Sequence, residues 1–337
     1  MTVSVLPNGT ALSRYLIAKG IIDIPSYQAS YATEHWRDSP AVALVLKAQQ
    51  NPATSANSAP LRQYGIVTEL LTLLSNVSVV ERLKSRFLNV PFLAQVPIEN
   101  VLLSSNWVGE TQSIPISAGS LSSVTLDVTK HALIFVITKE LLKVANSENA
   151  VRQIAVNSVA YGLDSTFLDA TIVSTPTVRP ASITNNCSVV SSTGSSAAQI
   201  QTDIANMTAA LGTWRDVVFV MRQRTLSYIA ATAPTLLDFS QVTPRLLGIP
   251  AFVSIGSPAQ ITLIDCGDIL IADDPNETEI EASDQASLVM TDTPESSPAA
   301  TSLVSMFQRN YTAFKVTRMI SWQRAHSSSV VRMSVSY

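Results

Sequence analysis

One amphipathic segment, residues 148–169, constrains the fold more than any other part of the chain. Its apolar residues recur at helical spacing, and no proline interrupts it before Pro176. At about 1.5 Å per residue, a helix over this segment is roughly 30 Å long and crosses a whole domain. The apolar positions are Val151, Ile154, Ala155, Val159, Leu163 and Phe167. We therefore predict a spine helix with Asn146 and Ser147 as its N-cap residues.

The segment before the spine helix predicts a long hairpin with a weakly hydrophobic tip. Residues 106–120 are polar and marked by proline and glycine, whereas residues 124–128 alternate apolar and polar side chains as a strand does. Residues 131–138 are an apolar run that predicts a buried strand, and residues 139–142 predict a short helix. A loop of this composition cannot bury itself, so we expect it to reach away from its own subunit.

The low charge content predicts a protein that assembles. Charged residues are 14% of the 337 residues, against an average of about 25%, and the mean hydropathy is +0.25. Such a chain buries much of its exterior in partners or spans a membrane. No uncharged apolar run approaches the roughly 18 residues of a transmembrane helix, and residues 1–20 lack the pattern of a secretory signal. Self-association is therefore the expected explanation.

Motifs for catalysis, cofactors and metals are missing from the sequence. His35, His131 and His326 form no metal-ligand pair, and Cys187 and Cys266 are far apart, so we expect reduced, incidental cysteines. Phosphate-binding loops, dinucleotide-binding glycine motifs and serine nucleophile elbows do not occur. We therefore expect no enzyme, no cofactor and no metal site, although sequence spacing does not test for a triad assembled in space.

The remaining secondary structure follows from the same patterns. Along the chain, we predict helices at 10–19, 26–50 with a break at Pro40, 64–74, 79–87, 196–211 and 223–231. Residues 51–60 and 175–196 are expected to be connections. Further strands are predicted at 88–92, 96–98, 217–221, 247–254, 261–272, 311–320 and 330–335. Trp322, Arg324 and His326 are expected either at a subunit contact or at the edge of the core.

Four motifs follow one another along the chain. They are Asn106-Trp107-Val108-Gly109-Glu110, Val128-Thr129-Lys130, Thr138-Lys139-Glu140-Leu141-Leu142 and the run from Ala160 to Asp169. In this order they resemble the major capsid proteins of tailed bacteriophages, especially the Mu-like prophage branch. In that family the pieces form an extended loop, its return strand and the long helix of a peripheral domain. The resemblance covers about residues 64–337 and is weaker towards the N-terminus. It implies an α+β fold that is shared with bacterial encapsulin shells.

The resemblance also implies how the chain is divided. In chain order the parts are an N-terminal arm with helices, a first part of the peripheral domain, an axial α/β domain and returning peripheral strands: 1–87, 88–174, 175–300 and 301–337. The second part contains the extended β-hairpin loop at 106–129 and the spine helix at 148–169. The C-terminal strands are expected to rejoin the peripheral domain beside that helix.

Two sets of residues carry the roles that the resemblance implies. The resemblance implies that residues of the extended loop contact a neighbouring subunit: Asn106, Trp107, Gly109, Glu110, Ile114, Pro115 and Gly119. It also implies that the spine helix gives each subunit a rigid frame, through Val151, Ile154, Val159, Leu163 and Phe167.

The implied function is that of a major capsid protein. Its copies would form pentamers and hexamers that close into an icosahedral head around double-stranded DNA, bound without sequence specificity. Portal, separate scaffold and decoration proteins are the expected partners, and no membrane is involved. The expected location is the virion capsid, assembled in the bacterial host cytoplasm. Two alternatives stay open, an encapsulin-like nanocompartment shell protein and a soluble oligomeric α/β binding protein.

Two further features concern the scaffold and the charge distribution. The first 90 residues lack sustained heptads and charge-dense runs, so the scaffold is expected to be a separate protein or to lie upstream. Residues 246–308 contain no lysine or arginine. We interpret the acidic residues there as a solvated face that points away from packaged DNA, because the spacing lacks the pattern of a calcium loop. They are Asp265, Asp268, Asp273, Asp274, Glu277, Glu279, Glu281, Asp284, Asp292 and Glu295.

Covalent crosslinking of subunits is not expected. Some relatives join subunits through an isopeptide bond between a loop lysine and a neighbour's asparagine, assisted by a glutamate. The loop at 106–129 contains no lysine, and Lys130 lies at its base. Mature particles should therefore run as a single monomer band on a denaturing gel. A ladder of bands above the monomer would contradict this prediction.

Overall fold

The computed structural model describes residues 10–21, 25–36, 39, 42–43, 46, 59–99, 105–116, 121–143, 147–212, 214–290 and 303–337. The chain divides into two compact units. Unit 1 comprises Met1–Ser78, His131–Tyr161 and Asp274–Met319. Unit 2 comprises Val79–Lys130, Gly162–Asp273 and Ile320–Tyr337. Among the described residues, none of the helices combines the length and the apolar character that crossing a bilayer requires.

Eight helices are described, and most of them match the predicted positions. They are α1 (Thr10–Ile21), α2 (Pro25–His35), α3 (Ala59–Val77), α4 (Val79–Leu83), α5 (Lys139–Leu142), α6 (Ser147–Leu168), α7 (Ala197–Ala210) and α8 (Gln223–Thr232). Of the helix predicted after Pro40, residues 42, 43 and 46 are described and are helical, and the others lie outside the described residues. Most of the connection at 51–60 also lies outside them.

Fifteen strands are described. They are β1 (Leu88–Asn89), β2 (Gln95–Glu99), β3 (Leu121–Thr125), β4 (Lys130–Thr138), β5 (Ser188–Val189), β6 (Val217–Met221), β7 (Leu237–Asp238), β8 (Arg245–Leu246), β9 (Ile249–Val253), β10 (Gln260–Asp265), β11 (Ile269–Ser283), β12 (Ser287–Val289), β13 (Leu303–Ser305), β14 (Tyr311–Arg324) and β15 (Val330–Ser334).

Helix α1 organises the helical part of unit 1, where it contacts α2, α3 and α5. The side chains of Tyr15 and Leu16 are completely buried. At the start of α1, the carboxylate of Glu69 on α3 accepts hydrogen bonds from the backbone N–H groups of Ala11 (3.3 Å) and Leu12 (2.7 Å). A carboxylate in this position satisfies free N–H groups and complements the helix dipole.

The end of α1 packs closely on other parts of unit 1 because residue 20 is glycine. A Cβ atom at Gly20 would lie 2.9 Å from Cδ1 of Leu142 and 3.1 Å from the ring of Phe314. The hydroxyl of Thr312 donates to the Gly20 carbonyl oxygen at 3.0 Å. Helix α1, helix α5 and strand β14 therefore meet closely at residue 20, where a larger side chain would require Leu142 and Phe314 to shift.

Strand β4 is an edge strand of a four-stranded sheet with the order β1-β11-β14-β4. The strand itself was predicted, but the expectation that it is buried is wrong. Only Ile137 is buried along β4, and Ile134 is half exposed. The stacked rings of Phe135 and Phe314, with centroids 5.1 Å apart, link β4 to β14. An end strand has a neighbour on one side only, so an apolar run does not by itself guarantee burial.

Unit 2 is built on a seven-stranded sheet with the order β5-β15-β10-β6-β9-β8-β7. All six residues of β10 are buried, and α7 and α8 contribute to the core that covers the sheet. The predicted strand at 261–272 is two strands, β10 and β11, separated by a 3₁₀ turn at Cys266–Asp268. The Asp265 side chain makes that turn by accepting from the Gly267 N–H at 3.2 Å.

The two C-terminal strands enter different sheets. Strand β14 lies in the four-stranded sheet, whereas β15 lies between β10 and β5 in the seven-stranded sheet. The two strands that the resemblance assigned together to the returning part of the peripheral domain therefore lie in different sheets. Val330, Val331 and Met333 are completely buried, which a strand achieves only where neighbours and both faces are covered. The central position in the larger sheet provides that environment.

Helix α6 confirms the predicted spine helix to within one residue at each end. Val151, Val159, Leu163 and Phe167 are buried, as predicted. Ile154 was predicted to belong to the same apolar stripe, but this prediction is wrong, because 39% of its surface is exposed. The buried row advances in steps of four residues, and Val156 and Ala160 extend it on the side away from Ile154. Asn146 lies outside the described residues.

A buried carboxylate on α6 holds two other segments of unit 2. Asp164 is completely buried, and its oxygens accept from the backbone N–H groups of Val79 (3.0 Å) and Val80 (3.4 Å) at the start of α4. The Ser254 hydroxyl, directly after β9, donates to the same carboxylate at 2.6 Å. Asp164 therefore caps one helix and fixes the end of a sheet strand.

The connection after α6 is tied to the end of that helix. The hydroxyls of Ser182 and Thr184 donate to the carbonyl oxygens of Phe167 and Leu168, each at 2.7 Å. These bonds satisfy carbonyl groups that a helix end leaves without partners. The predicted connection is therefore an ordered part of unit 2, and it includes the short strand β5. The predicted domain limits at 174 and 300 remain predictions.

Replacement of Asp164 should destabilise unit 2 strongly. The Asp164→Ala variant leaves two buried backbone N–H groups and the Ser254 hydroxyl without their acceptor, so we expect a loss of about 3 kcal/mol. Urea unfolding of the full chain, followed by circular dichroism at a concentration too low for assembly, measures this. Asp169→Ala is the matched control, since Asp169 binds only the neighbouring Thr171, and it should cost less than about 1 kcal/mol. Equal losses in both variants would contradict the capping role.

In the tight turn between β8 and β9, we predict that one substitution at Leu247 stabilises the protein. Leu247 and Gly248 both have positive φ, 51° and 82°, as a type I′ turn requires. Leucine is strained there, and its side chain is half exposed. Leu247→Asn should raise the free energy of unfolding by about 0.5–1 kcal/mol, whereas Gly248→Ala should lower it by about 1 kcal/mol. The same urea titrations measure both, and a destabilised Leu247→Asn chain would show that the leucine packs where it stands.

Candidate interaction surface on the extended loop

The extended loop leaves the body of unit 2 through a two-stranded base. Strands β2 and β3 pair antiparallel, from Gln95 opposite Thr125 to Glu99 opposite Leu121. Ile98 and the residue after β3, Leu126, are buried against Leu270 and Ala272. This cluster is small, and most other side chains of the two strands are exposed or half buried. The base therefore anchors the loop through few apolar contacts.

The described part of the loop, residues 105–116, is irregular and exposed at every position. It contains one turn, in which the Gln112 N–H donates to the Gly109 carbonyl oxygen at 3.2 Å. Trp107 and Ile116 are almost fully exposed, and Ile114 is 79% exposed. Burial of one such side chain is worth about 1.5–3 kcal/mol. The loop therefore presents three large apolar groups that gain free energy when another surface covers them.

The other residues predicted for the loop follow the same pattern. Asn106, Gly109, Glu110 and Pro115 are all exposed. Gly119 lies outside the described residues. The polar residues alternate with the three large apolar ones, so the loop combines solubility with a few separated anchors. Their role in contact between subunits remains a prediction.

All of the predicted spine-helix residues except Ile154 lie in the interior and not on an interaction surface. In unit 2, the ring of Phe167 lies 5.8 Å from that of Phe87 and 5.3 Å from that of Trp322. The Trp322 Nε1–H donates to the Ala181 carbonyl oxygen at 2.9 Å. Trp322 is thus a core residue. Of the two locations open for Trp322, the structure selects the core.

Four of the ten acidic residues at 265–295 are buried and bonded, so the interpretation as one solvated face is wrong for them. Asp265 accepts from the backbone N–H groups of Arg215 and Asp216, both at 2.9 Å, and Asp268 contacts His326. Asp273 pairs with Lys84, and Asp284 pairs with Lys139 at 2.8 Å. These residues looked solvated because their partners are distant in sequence, and only the fold brings the partners together.

The acidic face survives along one side of β11. Glu277, Glu279 and Glu281 are exposed, whereas Thr278 and Ile280 between them are buried. This alternation is typical of a strand with one covered face. Asp292 and Glu295 lie outside the described residues.

A second exposed apolar surface was not predicted. It consists of Phe239, Val242 and Leu247, which lie on the loops of β7, β8 and β9 at the end of the seven-stranded sheet. The segment that contains these three residues is rich in turn-forming residues, and such residues are typical of a polar loop. The signal available in the sequence was the presence of phenylalanine and valine among turn-forming residues.

The titratable groups of the described residues show no arrangement for catalysis. Burial raises the pKa of the Cys266 thiol to about 12 and also raises that of Cys187, so neither is a thiolate at neutral pH. Burial, with a smaller contribution from the Arg318 charge, lowers the pKa of His131 to about 4. In the described ranges, no three histidine, cysteine, aspartate or glutamate side chains cluster as metal ligands do.

Comparison with known proteins agrees with this geometry. A family model described as "Phage capsid family" matches residues 60–335. The chain is 27% identical over 268 residues to the "Capsid polyprotein" of Pseudomonas phage PAJU2. That alignment covers 73% of this chain but only 40% of the relative, so the chain spans less than half the length of the curated protein that it matches.

Solved structures with the same fold come from several phages. The structure from Mycobacterium phage Bobi has a TM-score of 0.54 at 14% identity and covers 75% of this chain and 89% of its own. For Gordonia phage Cozz the TM-score is 0.53 at 14% identity, with 77% and 87% covered. "Capsid of empty GTA particle computed with C5 symmetry" has a TM-score of 0.51 at 14% identity, with 76% and 89% covered.

These similarities extend across the part of the chain that contains both units. The mixed α+β architecture, with the long helix α6 and the hairpin of β2 and β3, is the tailed-phage major capsid fold. Because the family model spans most of the sequence, this chain belongs to the phage capsid family.

Proposed function

We propose that this chain is the major capsid protein of a tailed double-stranded DNA bacteriophage or prophage, of the Mu-like branch. Its copies assemble as pentamers and hexamers into the icosahedral head that encloses the genome. The observation that carries the proposal is the extended loop, whose large side chains Trp107, Ile114 and Ile116 are exposed in the single chain. Membership of the phage capsid family supports the same function.

The loop is suited to bind a second copy of the chain. An aromatic residue of this size buries about 150–250 Å² and is a common anchor at interfaces. The anchors are few and separated by polar residues, so each contact is modest and a loop can adjust to slightly different neighbours. A closed shell requires such adjustment, because identical chains occupy pentamers and hexamers.

The surface formed by Phe239, Val242 and Leu247 supplies a second contact in the proposal. The resemblance assigns these residues to an axial domain, which lies around the fivefold and sixfold axes. Their exposure fits contacts between copies around such an axis. Shell strength then comes from many modest interfaces, while the helix α6 keeps each subunit rigid.

The remaining parts of the proposal concern location and partners. The protein belongs to the virion capsid and is assembled in the bacterial host cytoplasm. Its partners are further copies of itself, portal, scaffold and decoration proteins, and packaged DNA. It acts as a structural protein and not as an enzyme, as the function of the phage capsid family suggests.

Removal of the loop anchors should prevent shell closure without unfolding the subunit. Deletion of Gly109–Ser120, or Trp107→Ala combined with Ile114→Ser, removes surface that contacts only a neighbour in the proposal. We expect folded capsomers in place of megadalton shells, measured by light scattering and negative-stain imaging after expression with the scaffold. Trp214→Ala is the matched control, since Trp214 is also exposed but lies outside the loop, and it should leave assembly unchanged.

The outcomes distinguish the alternatives. Normal shells from the loop-deleted chain would show that the loop has no role in closure. A stable monomer or dimer of the wild-type chain, with the scaffold present, would favour a soluble binding protein. Closed shells that protect no DNA from nuclease and that contain an enzyme would favour a nanocompartment.

A further inference from the structure

His326 holds both of its ring nitrogens against atoms that accept hydrogen bonds. Nδ1 lies 2.8 and 2.9 Å from the two carboxylate oxygens of Asp268, and Nε2 lies 2.9 Å from the backbone carbonyl oxygen of Glu99. Carboxylate and carbonyl oxygens accept hydrogen bonds but do not donate them. Both nitrogens can donate at the same time only when each carries a proton, so the imidazolium cation is the form that satisfies both contacts.

This imidazole lies at the base of the extended hairpin. Glu99 is the last residue of β2, directly before the chain departs into the loop. Asp268 closes the 3₁₀ turn between β10 and β11, and its side chain is buried. The backbone N–H of His326 also donates to Asp268 at 3.2 Å, and that of Ala325 donates to the Asp268 carbonyl oxygen at 2.9 Å. The Nδ1 side of the imidazole is thus fixed to Asp268, and the Nε2 side holds the hairpin through the Glu99 carbonyl oxygen.

The other attachments of the hairpin base are weak. Ile98 is the single buried residue of β2, and β3 contains no fully buried residue. The apolar cluster beneath them has Leu126, Leu270 and Ala272 as its other buried members. Elements with few buried contacts open locally at low cost in free energy. A charge-assisted bridge to Glu99 therefore accounts for a large share of what holds the base closed.

Charged groups surround the imidazole from each element that packs near it. They are Asp268 on the turn, Arg215 before β6, Glu99 on β2, and Asp127, Arg179 and Arg324, which line a polar cavity together with His326. The hydrogen bond to the Glu99 carbonyl oxygen and then that to Asp268 raise the pKa of His326 above its usual 6.5. Partial burial and, to a smaller extent, the positive charge of Arg215 oppose protonation but do not outweigh these hydrogen bonds.

We propose that His326 is a proton-controlled latch on the base of the extended hairpin, closed while the imidazole is doubly protonated and released when it becomes neutral. A neutral imidazole presents a lone pair to either the Glu99 carbonyl oxygen or Asp268, which turns one attraction into a repulsion. The ligand of the latch is a proton, and the responding element is the hairpin of β2 and β3 with its loop. The latch operates within one chain and does not depend on shell formation.

The direction of the pH dependence follows from the two states of the hairpin. The latched imidazole has the raised pKa, whereas the released imidazole titrates near 6.5. Below about pH 6.5 both states carry the proton, so the latch contributes fully. As the pH rises from 6.5 through the raised pKa, only the latched state keeps the proton, and the ratio of closed to open hairpin falls by up to about tenfold per pH unit.

Hydrogen exchange on the full chain tests the latch. Exchange of the imidazole C2 hydrogen, read by mass spectrometry, gives the pKa of His326, which we expect above 6.5. Amide exchange of peptides that cover 95–99 and 121–125, corrected for the intrinsic pH dependence, gives the protection of the hairpin base. We expect protection to be constant below pH 6.5 and to fall above it, while peptides from β6 and β10 stay unchanged.

Three variants separate the latch from a general pH effect. His326→Gln carries no titrating group, so the hairpin should lose the pH-dependent step. Asp268→Asn should move the pKa of His326 down towards 6.5. His35→Gln, at an exposed position at the end of α2, is the matched control and should behave as wild type.

Two results would overturn the proposal. One is a His326 pKa at or below 6.5 in the wild-type chain, a measurement that needs no variant to fold. The other is a His326→Gln chain whose hairpin protection falls with pH as steeply as that of wild type. Neither result bears on shell formation, so the latch and the proposed function fail separately.

Discussion

The buried carboxylate of Asp164 is the interaction on which much of unit 2 depends. A charged group without solvent is tolerated only when donors surround it, and here two backbone N–H groups and the Ser254 hydroxyl do so. The same stretch of α6 carries Leu163 and Phe167 into the core and offers its final carbonyl groups to Ser182 and Thr184. One helical turn therefore joins the start of α4, the end of β9 and the connection to β5. This concentration of bonds makes α6 a frame.

Several ionised side chains stabilise the inside of each unit. Asp265 fixes a turn, Asp273 and Asp284 each bind a lysine, and Asp268 holds a histidine. Other charged side chains stay exposed, among them the three glutamates of β11. The tryptophan and isoleucines of the loop are exposed as well. A chain with only 14% charged residues and exposed apolar anchors fits a subunit that is covered by its neighbours.

The loop is exposed, whereas the sheet next to its base is largely buried. A contact at the junction between them can therefore control the position of the hairpin. Beyond Glu99 the described residues 105–116 are exposed, and behind it the strands of the seven-stranded sheet are buried. A hairpin with few apolar contacts is easily displaced, so a single bridge at the junction has a large effect on its position. His326 provides that bridge, and protonation is the variable that governs it.

The sequence by itself determined the local elements. The four-residue spacing of apolar side chains is sufficient to define α6, and apolar runs bounded by polar residues define β6 and β10, because these periodicities follow from backbone geometry. Polar, glycine- and proline-marked residues also indicated the exposed loop around Trp107. The order of four short motifs along the chain also resembled the capsid family.

Only the tertiary structure decided which elements meet. It placed β15 beside β10 and not with β14, exposed Ile134 on an edge strand, and turned Ile154 away from the buried face of α6. It also buried four aspartates that the sequence suggested were solvated, and it gave His326 two acceptors, one of them 227 residues away along the chain. The reason is physical: burial and pairing depend on contacts between residues far apart in the chain, and local periodicity carries no information about those contacts.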